Sequence, residues 1–115
     1  MKLSEAILKG CEVTYQARGM YFEIESNGDV SACALGAACI GSESLSIEKA
    51  VSLVESSAGA GDLDKIIIGR LWDDIGVVNP VTGKAGLLFP VIVELNDYHM
   101  WSREMIAEWL KGIGQ

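Results

Sequence analysis

The stretch that decides the fold is FPVIVELNDYHMWSREMIAEWL, residues 89–110. Pro90 suits the first turn of a helix, where its missing N–H has no partner to lose. Ser102 is a good N-cap for a second helix. Four apolar residues then follow at spacings that put them on one helical face: Met105, Ile106, Trp109 and Leu110. Because helices this short are not stable alone, the stretch predicts two helices that meet at a tight corner and pack on a core.

The polar and aromatic residues of this corner are the candidates for a partner-binding site. Asp97 is predicted to accept from the first N–H groups of the last helix or to pair with Arg103. His99 is predicted to cap or pack, with a pH-sensing or ligand-binding role as the less favoured alternative. Trp101 and Trp109 are expected in the core, although Trp72 or Trp101 could anchor a partner, since aromatic residues and arginine dominate interface energies. The candidate partner-binding residues are Trp72, Asp97, His99, Trp101 and Arg103.

Three segments of the chain resemble one protein family. Residues 95–110 are similar to the C-terminal motif LNDxHxW(S/T)REQIADWL of a family of small, functionally uncharacterised phage and bacterial proteins. CALGAA at residues 33–38 resembles their central segment, and KLSEAI at residues 2–7 resembles their N-terminus. Together these segments cover about a quarter of the chain in matching order. The resemblance implies a phage or prophage protein and assigns no activity.

The resemblance also bears on metal binding. Members of that family often carry a Cys-Pro-x-Cys knuckle before the first of the two helices and a second histidine inside it, which would form a Cys2His2 zinc site. Here Asn79-Pro80-Val81-Thr82 and Glu94 stand at the corresponding positions, so that His99 alone remains. One imidazole does not hold a structural zinc. The comparison therefore implies a degenerate zinc knuckle and no metal.

Length and composition predict a single globular domain, residues 1–115. Half of the residues are hydrophobic and the mean hydropathy is +0.27. No apolar run approaches the 18 or so residues of a membrane span, and no basic leader precedes an apolar segment. Three cysteines without regular spacing favour reduced, buried thiols in the cytoplasm over a disulfide framework. The surplus apolar surface predicts a protein partner or self-association as a homodimer.

The charge balance argues against direct binding of nucleic acid. The net charge is −7, and the nine lysines and arginines are scattered, whereas phosphate-backbone binding relies on clustered cations. An acidic surface is most often a means of staying soluble. The sharper alternatives are that it faces a basic partner or mimics nucleic acid.

Local patterns predict the elements of the first half of the chain. A first helix over residues 3–16 carries Gly10, which indicates close packing, and Cys11 on its apolar stripe. Residues 20–34 predict a β-hairpin around Asn27-Gly28. Small apolar residues 33–40 predict a short buried helix, and Ser46 is predicted to cap the next helix.

The second half is predicted with less regularity. Residues 56–61 read as a flexible break, and Asp62 is predicted to cap a helix that runs to about Asp74. The run Ile66-Ile67-Ile68 could instead be a buried strand, but the helical stripe extends well beyond it. Residues 76–87 are predicted to be irregular.

No strong catalytic constellation is present in the sequence. Cys33 could act as a nucleophile with His99 as its base, but its apolar and acidic surroundings would not lower a thiol pKa. Cys33 and Cys39 are six residues apart and point to different sides of a helix. The glycine-rich break lacks the lysine of a phosphate-binding loop. Asp73 and Asp74 are adjacent and would point about 100° apart on a helix, so they form no acid–base pair. No cofactor is predicted.

The sequence thus predicts a mainly α (α+β) fold with about five short helices and one small β-hairpin near residues 20–34. The predicted role is a cytoplasmic, non-catalytic protein-interaction or regulatory module. One alternative is a small thiol enzyme that uses Cys33 and His99. Another is a DNA mimic or a helix-turn-helix-like DNA binder; in the latter Arg103 and Lys111 would face DNA together with the unfavourable Glu104 and Glu108.

Overall fold

The structure is a computed structural model that describes residues 1–56 and 67–115. These residues form six helices and two small β-sheets, which confirms the predicted mainly α, α+β fold. The helices are α1 (Leu3–Cys11), α2 (Ala34–Gly41), α3 (Ile47–Glu55), α4 (Gly69–Leu71), α5 (Leu88–Asp97) and α6 (Arg103–Gly112). The strands are β1 (Tyr15–Gln16), β2 (Phe22–Ile24), β3 (Val30–Ala32), β4 (Gly76–Val78) and β5 (Ala85–Leu87).

Helix α2 is the centre of the core, and all eight of its residues are buried. Helix α1 packs against it with the two backbones in contact. A Cβ added at Gly10 would lie 1.9 Å from the carbonyl oxygen of Ala37, and one at Gly41 would lie 1.8 Å from that of Ala6. Since real Cβ atoms do not approach so closely, the crossing requires glycine at both positions. This confirms the close packing predicted for Gly10.

The first sheet has the strand order β1-β3-β2. Strands β2 and β3 are antiparallel, with Phe22 opposite Ala32, and Gly28 takes a φ of +89° in their turn. The predicted Asn-Gly hairpin is therefore confirmed. The first helix, in contrast, was expected to reach residue 16 and ends at Cys11. Residues Tyr15–Gln16 pair in parallel with β3 instead. Their backbone groups form hydrogen bonds with that strand in place of the hydrogen bonds that a longer helix would have formed.

The middle of the chain departs further from the prediction. Ser46 caps α3 as expected, with its hydroxyl accepting from the Lys49 N–H at 3.1 Å. The predicted break beyond Ser56 and the cap at Asp62 fall on residues outside those described. Residues 67–71 are helical, but Trp72 is extended (φ −140°, ψ 141°), so this helix ends at Leu71 and not near Asp74.

Residues 76–87 form a second β-hairpin and are not irregular as predicted. Strands β4 and β5 pair antiparallel, with Val77 opposite Gly86. The N–H of Leu88 then donates to the carbonyl of Ile75 at 2.8 Å, which ties the base of the hairpin to the start of α5. The hairpin therefore leads directly into the helix that follows it.

The two closing helices and their corner are as predicted. The Ser102 hydroxyl accepts from the Met105 N–H at 3.1 Å and caps α6. At the corner Met100 takes a φ of +57°, and the Trp101 N–H donates to the Leu95 carbonyl at 2.9 Å. Leu88, Ile92, Leu95, Ile106 and Leu110 are fully buried in the cluster that also contains α1 and α2. Within the described residues, no helix is both long and apolar enough to cross a membrane.

Candidate functional site

A groove along the outer face of α5 is the candidate site. Pro90, Val93, Glu94 and Asp97 follow one another at helical steps of three, one and three residues, so they form one stripe of the helix. The opposite face, with Leu88, Ile92 and Leu95, fills the core. The stripe lines two concavities, and Leu35 and Val93 belong to the lining of both. We call these two adjoining concavities together the α5 groove.

The first concavity has a volume of about 480 Å³. Three segments form its walls: the loop before β2, the start of α2, and the second half of α5. The residues that line it are Gly19, Met20, Tyr21, Cys33, Ala34, Leu35, Ile92, Val93, Asn96 and Asp97. Two of the segments that carry the family resemblance, CALGAA and LND, therefore meet here although they are some 60 residues apart in the chain.

The second concavity continues toward the N-terminal end of α5 and has a volume of about 610 Å³. Its described lining residues are Leu35, Gly69, Asp74, Phe89, Pro90, Val93, and Glu94. Asp74 also supplies a cap for α5 from outside the helix, because its Oδ1 accepts from the Phe89 N–H at 2.8 Å. Leu87, at the N-cap position itself, has no side chain that could do so.

Asn96 forms the floor of the first concavity and is 1 % exposed. Its Oδ1 accepts from the Ala34 N–H at 3.1 Å and from Gln16 Nε2 at 2.8 Å. Its Nδ2 donates to the Ala17 carbonyl at 3.0 Å and to Asp97 Oδ1 at 2.7 Å. The amide thus uses its full capacity of two donors and two acceptor positions. This one side chain fixes α5 to the start of α2 and to the segment that follows β1.

Arg18 closes the C-terminal end of α5. Its guanidinium donates to the carbonyl of Asn96, to that of Trp101 at 3.1 Å, and to that of Met100 at 3.4 Å. A cation is favourable at this end of a helix, where the carbonyl groups are unpaired and the helix dipole is negative. Arg18 is therefore committed to the backbone of the corner, and it holds the next residue, Gly19, against Asp97.

Three carboxylates lie along the α5 groove, and the fold holds each by one oxygen. Asp97 Oδ1 accepts from the Gly19 N–H at 2.8 Å, Glu94 Oε2 accepts from Asn79 Nδ2 at 3.0 Å, and Asp74 Oδ1 accepts from Phe89. The second oxygen of each has no hydrogen-bond partner among residues 1–56 and 67–115. The described residues that line these two concavities include no lysine or arginine, whereas Lys84 lines a third concavity that shares Pro90 and Glu94 with the second. The described lining of the α5 groove therefore carries negative charge.

The thiol at this site is not an activated one. Cys33 occupies the N-cap position of α2, and its Sγ accepts from the Gly36 N–H at 3.4 Å. Burial nevertheless raises the pKa of Cys33 to about 11, an effect that the nearby charge of Asp97 reinforces. Among the described residues no hydrogen bond joins Cys33 to His99. Cys11, Cys33 and Cys39 are all free thiols.

Of the residues predicted for partner binding, the structure brings Asp97 to the groove. Its partners are Gly19 and Asn96, and not Arg103 or the last helix as predicted. Arg103 lies behind the site at 4 % exposure and donates to the Thr14 hydroxyl at 2.7 Å, to the Thr14 carbonyl at 2.8 Å and to the Ala32 carbonyl at 3.3 Å. A buried guanidinium held by neutral oxygens supports the corner from within.

The other predicted residues lie elsewhere. Trp72 is 9 % exposed and donates its indole N–H to the Met1 carbonyl at 3.2 Å, so it is part of the core. Trp101 and Trp109 are half-buried against the same core. His99 is half-buried, and its backbone N–H donates to the Glu94 carbonyl at 3.0 Å. Sequence reasoning missed the groove residues Met20, Tyr21, Leu35, Val93 and Asn96. Leu35 and Asn96 lie in the CALGAA and LND segments that the sequence analysis singled out, whereas nothing in the sequence marked the other three.

The positions that the resemblance assigns to a zinc knuckle are joined by hydrogen bonds. Asn79 is 1 % exposed, and its Oδ1 accepts from the Val81 N–H at 2.8 Å and from the Thr82 N–H at 3.2 Å. Its Nδ2 donates to Glu94, one of the carboxylates of the groove. Within the described part of the chain, no group of three side chains could hold a metal ion. In this chain these residues form a polar link between the second hairpin and α5.

Comparison of the chain with protein families, with curated proteins and with solved structures finds no match.

Proposed function

We propose that the protein is a non-catalytic protein-interaction module of phage or prophage type, and that it binds a segment of a protein partner in the α5 groove. The observation that carries this proposal is that two concavities adjoin along α5 and share Leu35 and Val93 in their linings. Apolar side chains contribute most of its walls and fixed carboxylates lie along it. This composition is typical of recognition sites, which combine apolar contact area with a few placed polar groups.

The dimensions of the groove favour a peptide segment. Ligand pockets usually enclose about 300–1,000 Å³, and here two concavities of that order adjoin along α5. The eight steps from Phe89 to Asp97 correspond to about 12 Å of helix at 1.5 Å per residue. An extended chain spans that distance with about four residues. The groove is thus long and open enough for a stretch of polypeptide.

The chemistry of the groove favours binding over catalysis. A cysteine nucleophile requires a thiolate near neutral pH, and burial moves the pKa of Cys33 in the opposite direction, to about 11. The amide of Asn96 is fully used in holding the fold together. These features support a preformed surface that presents side chains without reacting.

The proposal is tested by affinity capture from a nuclease-treated bacterial lysate with two variants beside the natural chain. Val93→Arg fills the junction of the two concavities, whereas Val54→Arg places the same side chain on an exposed position of α3 that lines neither of them. We expect one protein to be recovered in near-equal amount by the natural chain and by Val54→Arg, and to be lost with Val93→Arg. Equal recovery by all three baits, or recovery of the bait alone, would contradict the proposal.

The alternative that the groove binds a second copy of the chain is tested with the same variants. Sedimentation of the natural chain as a dimer, with Val93→Arg as a monomer, would identify self-association as the interaction. Both chains are then expected to keep the same circular dichroism spectrum, since Val93 is only half-buried.

A further inference from the structure

We infer that the partner segment is basic, and that both lysine or arginine side chains and apolar side chains of the segment face the groove. This inference rests on the proposed function, and it identifies the chemistry of the partner. It follows from how the carboxylates of the groove are placed, how they are held, and what separates them.

The three carboxylates are distributed along the whole groove. Asp97 and Glu94 are three residues apart on α5, which places them on adjacent turns of one face. Asp74 is bonded to the backbone of Phe89, at the other end of the helix. A segment that lies along α5 therefore passes all three. A single cation would satisfy only one end of this arrangement.

The fold presents each carboxylate with one oxygen already fixed. The bonds to Gly19, Asn79 and Phe89 are 2.8–3.0 Å long, and they limit the rotation of each carboxylate. A ligand cation then meets an acceptor whose conformational entropy is already reduced, which lowers the cost of binding. The second oxygens are available for charge-assisted hydrogen bonds, which are shorter and stronger than neutral ones.

Apolar surface separates the acidic positions. Leu35 and Val93 lie where the two concavities meet, and Met20 and Tyr21 form the wall near Asp97. Met20 is 47 % exposed, which is a large apolar surface to leave in water. Leu35 is already 1 % exposed, so the surface to be covered belongs to Met20, Tyr21 and Val93. A bound segment covers that surface with its own apolar residues and places its cations at the three carboxylates. The charge pattern also rejects acidic segments, since like charges in one groove repel.

The charge of the whole chain acts in the same direction. The net charge of −7 draws cationic segments toward the surface over several ångströms of solvent, with an attraction that salt weakens. Arg18 precedes Gly19 at the first concavity, and its guanidinium donates to the carbonyl groups of the corner. Arg70 follows Gly69 at the second concavity and is exposed, and it is not among the described residues that line that concavity.

The test uses a displayed library of random 12-residue peptides, selected on the natural chain and measured individually by fluorescence anisotropy. The groove variant is Asp74→Asn with Glu94→Gln and Asp97→Asn, in which each amide keeps the oxygen that accepts the internal hydrogen bond. The matched control is Glu12→Gln with Glu55→Gln and Glu108→Gln. It removes the same number of charges from exposed positions that do not line the groove. Circular dichroism and thermal unfolding check that both variants fold.

We expect the selected peptides to be rich in lysine or arginine between apolar residues. They should bind the groove variant roughly tenfold more weakly than the natural chain, and the control within about twofold, as three partly exposed ionic contacts predict. If the selected peptides are neutral or acidic and fail to bind Val93→Arg, the inference is overturned and the proposed function stays in place. If the selected peptides are basic but bind the groove variant and the control variant with equal affinity, their attraction to the chain is non-specific and the inference is overturned. If no selected peptide is excluded by Val93→Arg, the proposed function fails with it.

Discussion

At the scale of single residues, Asn96 explains why the groove has a fixed shape. Its four hydrogen bonds reach β1, the residue after it, the start of α2, and Asp97. No other described side chain joins so many of the segments that line the groove. Gln16 extends the same network, because its Oε1 accepts from the Arg103 N–H at 3.1 Å. The corner of the two closing helices and the wall of the groove are therefore held by one set of polar side chains.

Replacing Asn96 with Ala should destabilise the protein by about 2–4 kcal/mol, because the Ala34 N–H and the Ala17 carbonyl lose a buried partner without gaining water. The measurement is the free energy of unfolding in urea. Asn27→Ala is the control, since Asn27 is exposed in the hairpin turn. This substitution should lower the free energy of unfolding by less than about 1 kcal/mol. Equal stability losses in the two variants would show that Asn96 does not link these segments.

The cysteines should react slowly with a thiol reagent in the native protein. Burial raises the pKa of Cys33 to about 11 from an ordinary value of 9.0, so the thiolate fraction at pH 7.5 falls about a hundredfold. Reaction with Ellman's reagent should accelerate sharply in denaturing urea. A rapidly reacting thiol in the folded protein, lost in Cys33→Ser, would instead support the thiol-enzyme alternative.

At the scale of elements, the sequence predicted the caps and turns that are determined by residues close together in the chain. The cap at Ser102, the cap at Ser46 and the Asn27-Gly28 turn are local signals, and the structure has all three. Strand β1 has two residues and no periodicity, so only its distant partner β3 reveals it. Likewise, β4 and β5 have three residues each and are largely exposed, without the alternation that marks a strand.

The groove was harder to predict than the helices for the same reason. Asp97 was among the predicted candidates, but its partner Gly19 is 78 residues away in the chain. Nothing in the local sequence at either position indicates that contact. In the sequence nothing distinguishes the wall residues Met20 and Leu35 from other apolar residues. Only the fold places them beside α5. Contacts across long sequence separations are decided by packing, which a single sequence does not display.

The link between the second hairpin and α5 should depend on Asn79. Asn79→Ala removes three hydrogen bonds, to Val81, Thr82 and Glu94, and we expect a loss of about 1–3 kcal/mol. Hydrogen exchange should show faster exchange of the hairpin amides. Thr82→Ala is the control in the same turn, since it removes one exposed bond to the Lys84 N–H and should have little effect.

Asn79→Asp gives a sharper version of this test. It keeps the acceptor for the two turn amides but places a second carboxylate against Glu94, so repulsion should loosen the hairpin at neutral pH. Acidification should reverse the loosening, because protonation removes the repulsion. A hairpin that exchanges equally fast at both pH values would show that the Asn79–Glu94 bond does not hold it.

At the scale of the whole molecule, the acidic surface and the apolar core have separate roles. The core is one cluster that runs through α1, α2, α5 and α6, and it buries two of the three cysteines. Among the described charged side chains only Arg103 is buried, and carboxylates lie along the α5 groove. Removing carboxylates from the groove should therefore affect binding more than stability, whereas ionising a group inside the core should affect stability directly.

The buried thiols make the protein labile at alkaline pH. Burial raises the pKa of Cys11 and Cys33 to about 11 and that of Cys39 to about 12, from 9.0 in each case. The folded chain thus keeps these protons to higher pH than the unfolded chain does. The stabilisation is fully present below pH 9 and is lost as the pH rises through about 11, at up to about 1.4 kcal/mol per pH unit for each thiol.

The free energy of unfolding, measured in urea with a reducing agent between pH 7.5 and 10.5, should fall above pH 9. Cys39→Ala should show a shallower fall, because one thiolate no longer favours the unfolded chain, and identical slopes for the two proteins would contradict this account.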